Sequence, residues 1–81
     1  MKIYRCDSGK CNIAGCKIRS LREAAGLSQE QLAARIQLAG YNINQKAVSR
    51  IETGDRVLPD YELIRFANAL NVSVNCLLDL E

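Results

Sequence analysis

The tetrad Ser28-Gln29-Glu30-Gln31 constrains this chain most, because it can satisfy the free end of a helix from within itself. The Ser28 hydroxyl can accept from the Gln31 N–H while the Gln31 side chain reaches back to the Ser28 N–H, the reciprocal arrangement of a capping box. Leu27 precedes the cap, where it can staple onto Leu32. Leu32, Ala33 and Ile36 then fall on one stripe of a helix running to about Leu38. A second capped helix follows. Gly40-Tyr41-Asn42 reads as a turn, Asn44 as a cap, and the segment after it as a helix ended by Gly54. In that helix Val48 and Ile51, three apart, face a core, whereas Gln45, Lys46, Ser49 and Arg50 share the other side.

The flanking segments are helical too. The spacing predicts a helix from about Asn12, its N-cap, to Ala25, with Ile18, Leu21 and Ala25 as its apolar positions and Gly26 as its stop. Asp55 to Pro59 reads as a loop. Asp60 is expected to cap a fourth helix from Tyr61 to Leu70 that buries Leu63, Ile64, Ala67 and Leu70. Asn71 can take the left-handed position at its end, and Ser73 caps a last short helix through Val74, Leu77 and Leu78. Residues 1–11, with Ile3 and Tyr4, are read as an N-terminal arm or short strand, and residues 12–81 as one domain.

Eighty-one residues allow one small core, so a deep active-site cavity is not expected. With 48% hydrophobic residues, 25% charged and a single proline, the chain is a folded globule; 5% aromatics favour packed short helices over a sandwich or barrel. The net charge of +2 is unevenly placed. Lys2, Arg5, Lys10, Lys17, Arg19 and Arg22 stand against Asp7 and Glu23 near the start, whereas Arg65 faces Asp60, Glu62, Asp79 and Glu81 near the end. Such polarity suits one basic face turned toward a polyanion.

Catalysis is not expected: His is absent, and neither a Gly-rich phosphate loop nor a G-x-S-x-G motif is present. Glu23, Glu30, Asp60 and Glu62 occupy positions where helices normally carry solvated carboxylates. Cys6, Cys11, Cys16 and Cys76 lack a paired C-x-x-C knuckle, so neutral thiols are expected, with no metal and no cofactor. No apolar run is long enough to cross a bilayer and Met1 to Arg5 carries no apolar signal region, so a cytoplasmic location is expected.

Ile18 through Ala33 closely resembles the opening of the XRE family, the Cro and phage-repressor class of helix-turn-helix transcriptional regulators, and Val48-Ser49-Arg50-Ile51-Glu52-Thr53-Gly54 resembles that family's third helix. The likeness covers roughly residues 12–80. It implies an all-α, five-helix, lambda-repressor-like domain that binds double-stranded DNA in sequence-specific fashion, as a regulator of the repressor kind. Gln45, Lys46, Ser49 and Arg50 would meet base edges, with Gln, Arg and Lys suited to the major-groove edges of adenine and guanine. Gln29, Asn44 and Arg56 would touch phosphates. Arg22 and Glu52 would form a structural ion pair between the first and third helices.

One departure from the family stands between Ile36 and Val48, where about five residues exceed the usual tight turn; either the second helix is longer or the turn bulges. Ile43 and Leu38 are expected to anchor its two ends, and Tyr41 in this longer turn is expected to add a phosphate contact. The implied partner is double-stranded DNA, bound as a homodimer through residues 1–11 or the apolar end Val74, Leu77, Leu78 and Leu80, with no membrane and no small-molecule substrate. Two other readings remain open from the sequence: a protein-interaction or antitoxin-like module, and a thiol- or metal-sensing regulator built on the cysteines.

Overall fold

The computed structural model describes residues 11–80. Apart from Cys11, the expected N-terminal arm lies outside them, as does Cys6. Within them the chain forms α1 (Gly15–Ala24), α2 (Gln29–Leu38), α3 (Gln45–Thr53), α4 (Asp60–Leu70) and α5 (Val74–Leu77), with no strand among the described residues. This is the all-α, five-helix arrangement expected of a lambda-repressor-like domain.

Every helix contributes to one core. Ile18 of α1, Leu32 and Ile36 of α2, Val48 and Ile51 of α3, Phe66 of α4 and Leu77 of α5 are all fully buried. Each such side chain stabilises the fold by about 1.5 to 3 kcal/mol, before the entropy of ordering the chain is set against it. The short α5 could not persist alone. It is held because Leu77 enters the core while the Ser73 hydroxyl accepts from the Cys76 N–H at 3.1 Å.

The ends of the helices follow local chemistry. Ser28 and Gln31 complete both halves of the capping box, at 3.0 and 2.8 Å. The Asn44 side chain accepts from the Ala47 N–H at 2.9 Å, and Gly54 closes α3 with a left-handed φ of 84°. Asn71 closes α4 in the same conformation, at φ 58°.

Several sequence-based expectations are corrected. Asn12 stands outside α1, whose N-cap position is Ala14. Its Oδ1 accepts from the Gly15 N–H at 2.7 Å, but its Nδ2 donates to the carbonyls of Ile51 and Arg56 at 3.0 and 2.8 Å, so it ties the start of α1 to the end of α3 and the loop beyond. Ala25 is exposed and stands at the C-cap, one residue past the end of α1. Asp60 is the first residue of α4 rather than its cap; Pro59 takes the cap position in extended geometry and its carbonyl accepts from Glu62 and Leu63. Ile64 is half exposed, and Phe66 is buried in its place. Leu63, Phe66, Ala67 and Leu70 share one helical face, from which Ile64 is turned by about one residue's rotation of ~100°.

The long connection between α2 and α3 is a turn with an extended exit. Gly40, at φ 98°, reverses the chain after Leu38, and the Tyr41 N–H donates to the Ile36 carbonyl at 3.2 Å. Ile43 anchors the exit at 4% exposure, and the Gln37 side chain donates to its carbonyl. Leu38 does not anchor the other end: it is 89% exposed, because the last turn of α2 rotates it away from Ile36.

At Gly15, α1 crosses α3 with no room for a side chain. A Cβ there would stand 2.1 Å from the Ile51 carbonyl oxygen. Glycine to alanine within a helix ordinarily stabilises by about 0.5 to 1 kcal/mol. Gly15→Ala should reverse that sign and cost about 1 to 3 kcal/mol through overpacking, read from the midpoint of urea unfolding.

Candidate nucleic-acid interface

The two faces of α3 differ sharply. Val48, Ile51 and Glu52 are buried, while Gln45, Lys46 and Arg50 are exposed and Ser49 is half-buried at the edge. The exposed set therefore lies on one side of one rigid element, as groove reading requires. Lys46 makes no ion pair among the described residues, and Arg50 donates only a long contact of 3.4 Å to the Asp55 carbonyl.

Gln45 is linked to the start of α2. Its Nε2 donates to Gln29 Oε1 at 2.6 Å, and Gln29 Nε2 in turn donates to Glu52 Oε1 at 3.0 Å. The Gln45 amide keeps its oxygen and one N–H to offer elsewhere, in a fixed orientation. Around this link, Arg22, Ser28, Gln29, Glu30 and Gln45 line a shallow concavity.

Behind it lies an ion pair with little access to water. Arg22 Nε donates to Glu52 Oε2 at 2.7 Å and Arg22 Nη2 donates to Glu52 Oε1 at 3.0 Å, a bidentate pair in which the Glu52 side chain is 1% exposed. Arg22 Nη1 donates to the Leu27 carbonyl at 2.8 Å. The hydrogen bond to Glu52, which outweighs the opposing effect of burial, raises the pKa of Arg22 above its ordinary value. One carboxylate thus connects α1, the chain entering α2, and α3.

A second carboxylate lies on the opposite flank. Glu62 of α4, read from sequence as solvated, is 4% exposed. Its Oε1 accepts from Arg56 Nη1 at 2.6 Å, and its Oε2 accepts from Arg56 Nη2 at 3.1 Å and from the Tyr41 hydroxyl at 2.6 Å. Burial pushes the Glu62 carboxyl up, but the hydrogen bonds from Arg56 and Tyr41 and the Arg56 charge outweigh it, so its pKa lies below the ordinary Glu value. The hydrogen bond to Glu62 pushes the Tyr41 phenol up to about 12. Arg56, which the resemblance assigns to a phosphate, and Tyr41, expected from the longer turn to add another such contact, are therefore both engaged inside the domain. The Arg65 guanidinium lies over the Tyr41 ring at 5.4 Å, and the Tyr61 ring meets it edge-on at 6.4 Å.

Gln29, Asn44 and Gln45 are thus gathered at one end of α3, with Lys46, Ser49 and Arg50 continuing along its outer side. A family model described as a helix-turn-helix domain matches residues 13–79. The chain belongs to the helix-turn-helix domain family. That family binds DNA. No curated protein and no solved structure matched the chain. Cys11, Cys16 and Cys76 of this helix-turn-helix domain are free thiols, and no cluster of metal-ligating side chains occurs among the described residues. No helix among them is long and apolar enough to cross a membrane.

The two carboxylates give separate tests. Glu52→Ala removes one partner of a desolvated pair and leaves the Arg22 charge without it, so denaturant unfolding should show a loss of about 3 to 5 kcal/mol. For Glu62, the folded pKa is depressed. Its contribution is therefore complete above the unfolded Glu value of about 4.3 and is lost as pH falls through the lower folded value. Urea titrations between about pH 5 and about pH 2 should show a smaller loss of stability for Glu62→Gln than for the unmodified chain.

Proposed function

We propose that this helix-turn-helix domain is a sequence-specific transcriptional regulator of the XRE type, acting as a repressor on double-stranded DNA. The observation that carries the reading is the outer face of α3. Gln45, Lys46, Ser49 and Arg50 project from a helix whose opposite side is locked into the core, and Gln45 is held in orientation by Gln29. α2 and α3 then act as the helix pair, with α3 entering the major groove.

In this reading Gln45 offers a paired donor and acceptor to adenine, Arg50 or Lys46 donates to guanine N7 and O6, and Ser49 suits several base edges. Gln29 and Asn44 stand at the N-terminal ends of α2 and α3, where free N–H groups and the positive ends of the helix dipoles favour phosphate. Phosphate contacts set the register and the α3 side chains set the sequence. A domain of 32 × 28 × 19 Å covers only one half-site, so a homodimer spanning two half-sites about 34 Å apart supplies specific affinity. The chain works in the cytoplasm, where its DNA partner is.

Selection from random duplexes tests this reading and returns operator symmetry at the same time. An enriched, two-fold symmetric site is expected, and a pool that remains random after repeated rounds overturns it. On the selected duplex, Gln45→Ala and Arg50→Ala should each cost about 1 to 3 kcal/mol and relax base preference at one position. Affinity should fall with salt at a log-log slope of about −0.9 per phosphate engaged, a dependence that a protein-interaction module binding through apolar surface would lack.

A further inference from the structure

Nothing in the groove-reading account uses Glu62, yet it is one of only two buried charged side chains among the described residues; the other is Glu52. Its partners are informative because of where they sit. Tyr41 belongs to the turn entering α3 and Arg56 to the loop leaving it, and both end on the same carboxylate. The two connections are secured at further points. The Arg56 carbonyl accepts from Asn12, and the Tyr41 ring is flanked by Arg65 and Tyr61, both on α4. Within the turn Gly40 takes a positive φ, Tyr41 and Ile43 are tied back to α2 by hydrogen bonds, and the hydrogen bond to Glu62 joins this turn to α4.

We propose that Glu62 is a positioning residue for groove reading: from α4 it braces, through Tyr41 and Arg56, the two connections that flank α3, and so fixes how Gln45, Lys46, Ser49 and Arg50 meet the bases. This rests on the DNA-reading role proposed above. It gives Tyr41 and Arg56 a task inside the domain in place of phosphate binding. The bidentate geometry matters here, because a planar guanidinium can hold both carboxylate oxygens at once and an ammonium cannot.

The sign of one substitution separates this from plain electrostatics. Glu62→Gln removes a negative charge and releases Arg56 and Tyr41; if these two groups were phosphate ligands in waiting, binding would strengthen on every duplex and the salt slope would steepen by about one. Bracing requires the opposite. Preference for the selected duplex over random DNA should fall on the order of tenfold, with non-specific affinity and salt slope unchanged. Arg56→Lys should behave like Glu62→Gln although it keeps the charge. All binding is measured well below the unfolding temperature, where a change in stability alone leaves the preference ratio untouched.

Amide hydrogen exchange supplies a readout that needs no DNA. Glu62→Gln should speed exchange in residues 39–44 and 54–58 together while leaving α1 protected. Unchanged exchange in these segments overturns the proposal, as does an Arg56→Lys variant that binds like the unmodified chain while Arg56→Ala lowers the salt slope by about one. If the unmodified chain enriches no duplex, the DNA-reading role fails, and with it the link from brace to base reading; accelerated exchange in both segments would still support the brace itself.

Discussion

The Arg22–Glu52 ion pair is the constraint on which the rest of this domain depends. Removing a carboxylate from water costs several kcal/mol, and only close, bidentate hydrogen bonds offset that cost. Glu52 obtains them from a guanidinium on another helix, and a third from Gln29 at the start of α2. The requirement to satisfy one buried carboxylate therefore fixes the crossing of α1 and α3 and the approach of α2 together. Gln29 is held on one side by Glu52 and holds Gln45 on the other, so the pair also orients the first outward side chain of α3. Close packing reinforces it from the far end of α1, where Gly15 allows that helix to touch the Ile51 carbonyl, next to Glu52 in the chain.

Seen from α3, the two buried carboxylates have complementary places. Glu52 secures the helix to α1 and α2, and Glu62 secures the chain on either side of it to α4. Both use arginine. As a result, Arg22 and Arg56 are neutralised within the domain, whereas Lys46 and Arg50 remain on the outer face of α3. The small net charge of +2 conceals this separation, which leaves Lys46 and Arg50 without an ion pair among the described residues, on a face suited to a polyanion.

The helix ends were legible in the sequence because they are built from neighbours. Ser28 with Gln31, Asn44 with the Ala47 N–H, Ser73 with the Cys76 N–H, and the left-handed Gly54 and Asn71 all depend on contacts within a turn or so of chain. Apolar spacing likewise located Ile18, Leu32, Ala33, Ile36, Val48, Ile51 and Leu77. On α4 the spacing is assigned to Ile64, although Phe66 completes the face of Leu63, Ala67 and Leu70 and is the residue buried there. The orientations of Leu38 and Glu62 were not legible. A leucine at a helix end and a glutamate in a first turn have no local property that says which way they face; that depends on what the neighbouring helices leave open or bring near.

The sequence by itself determined the five helices, the side-chain caps of α2, α3 and α5, the buried face of α3 and the polar groups opposite, because short-range hydrogen bonds and helical periodicity act regardless of the rest of the chain. Only the tertiary structure decided which polar groups remain available at that face. Tyr41 and Arg56 both end on Glu62 of another element, while Gln29 gives one amide N–H to Glu52 and keeps the other; such pairings arise where burial makes an unpartnered charge too costly.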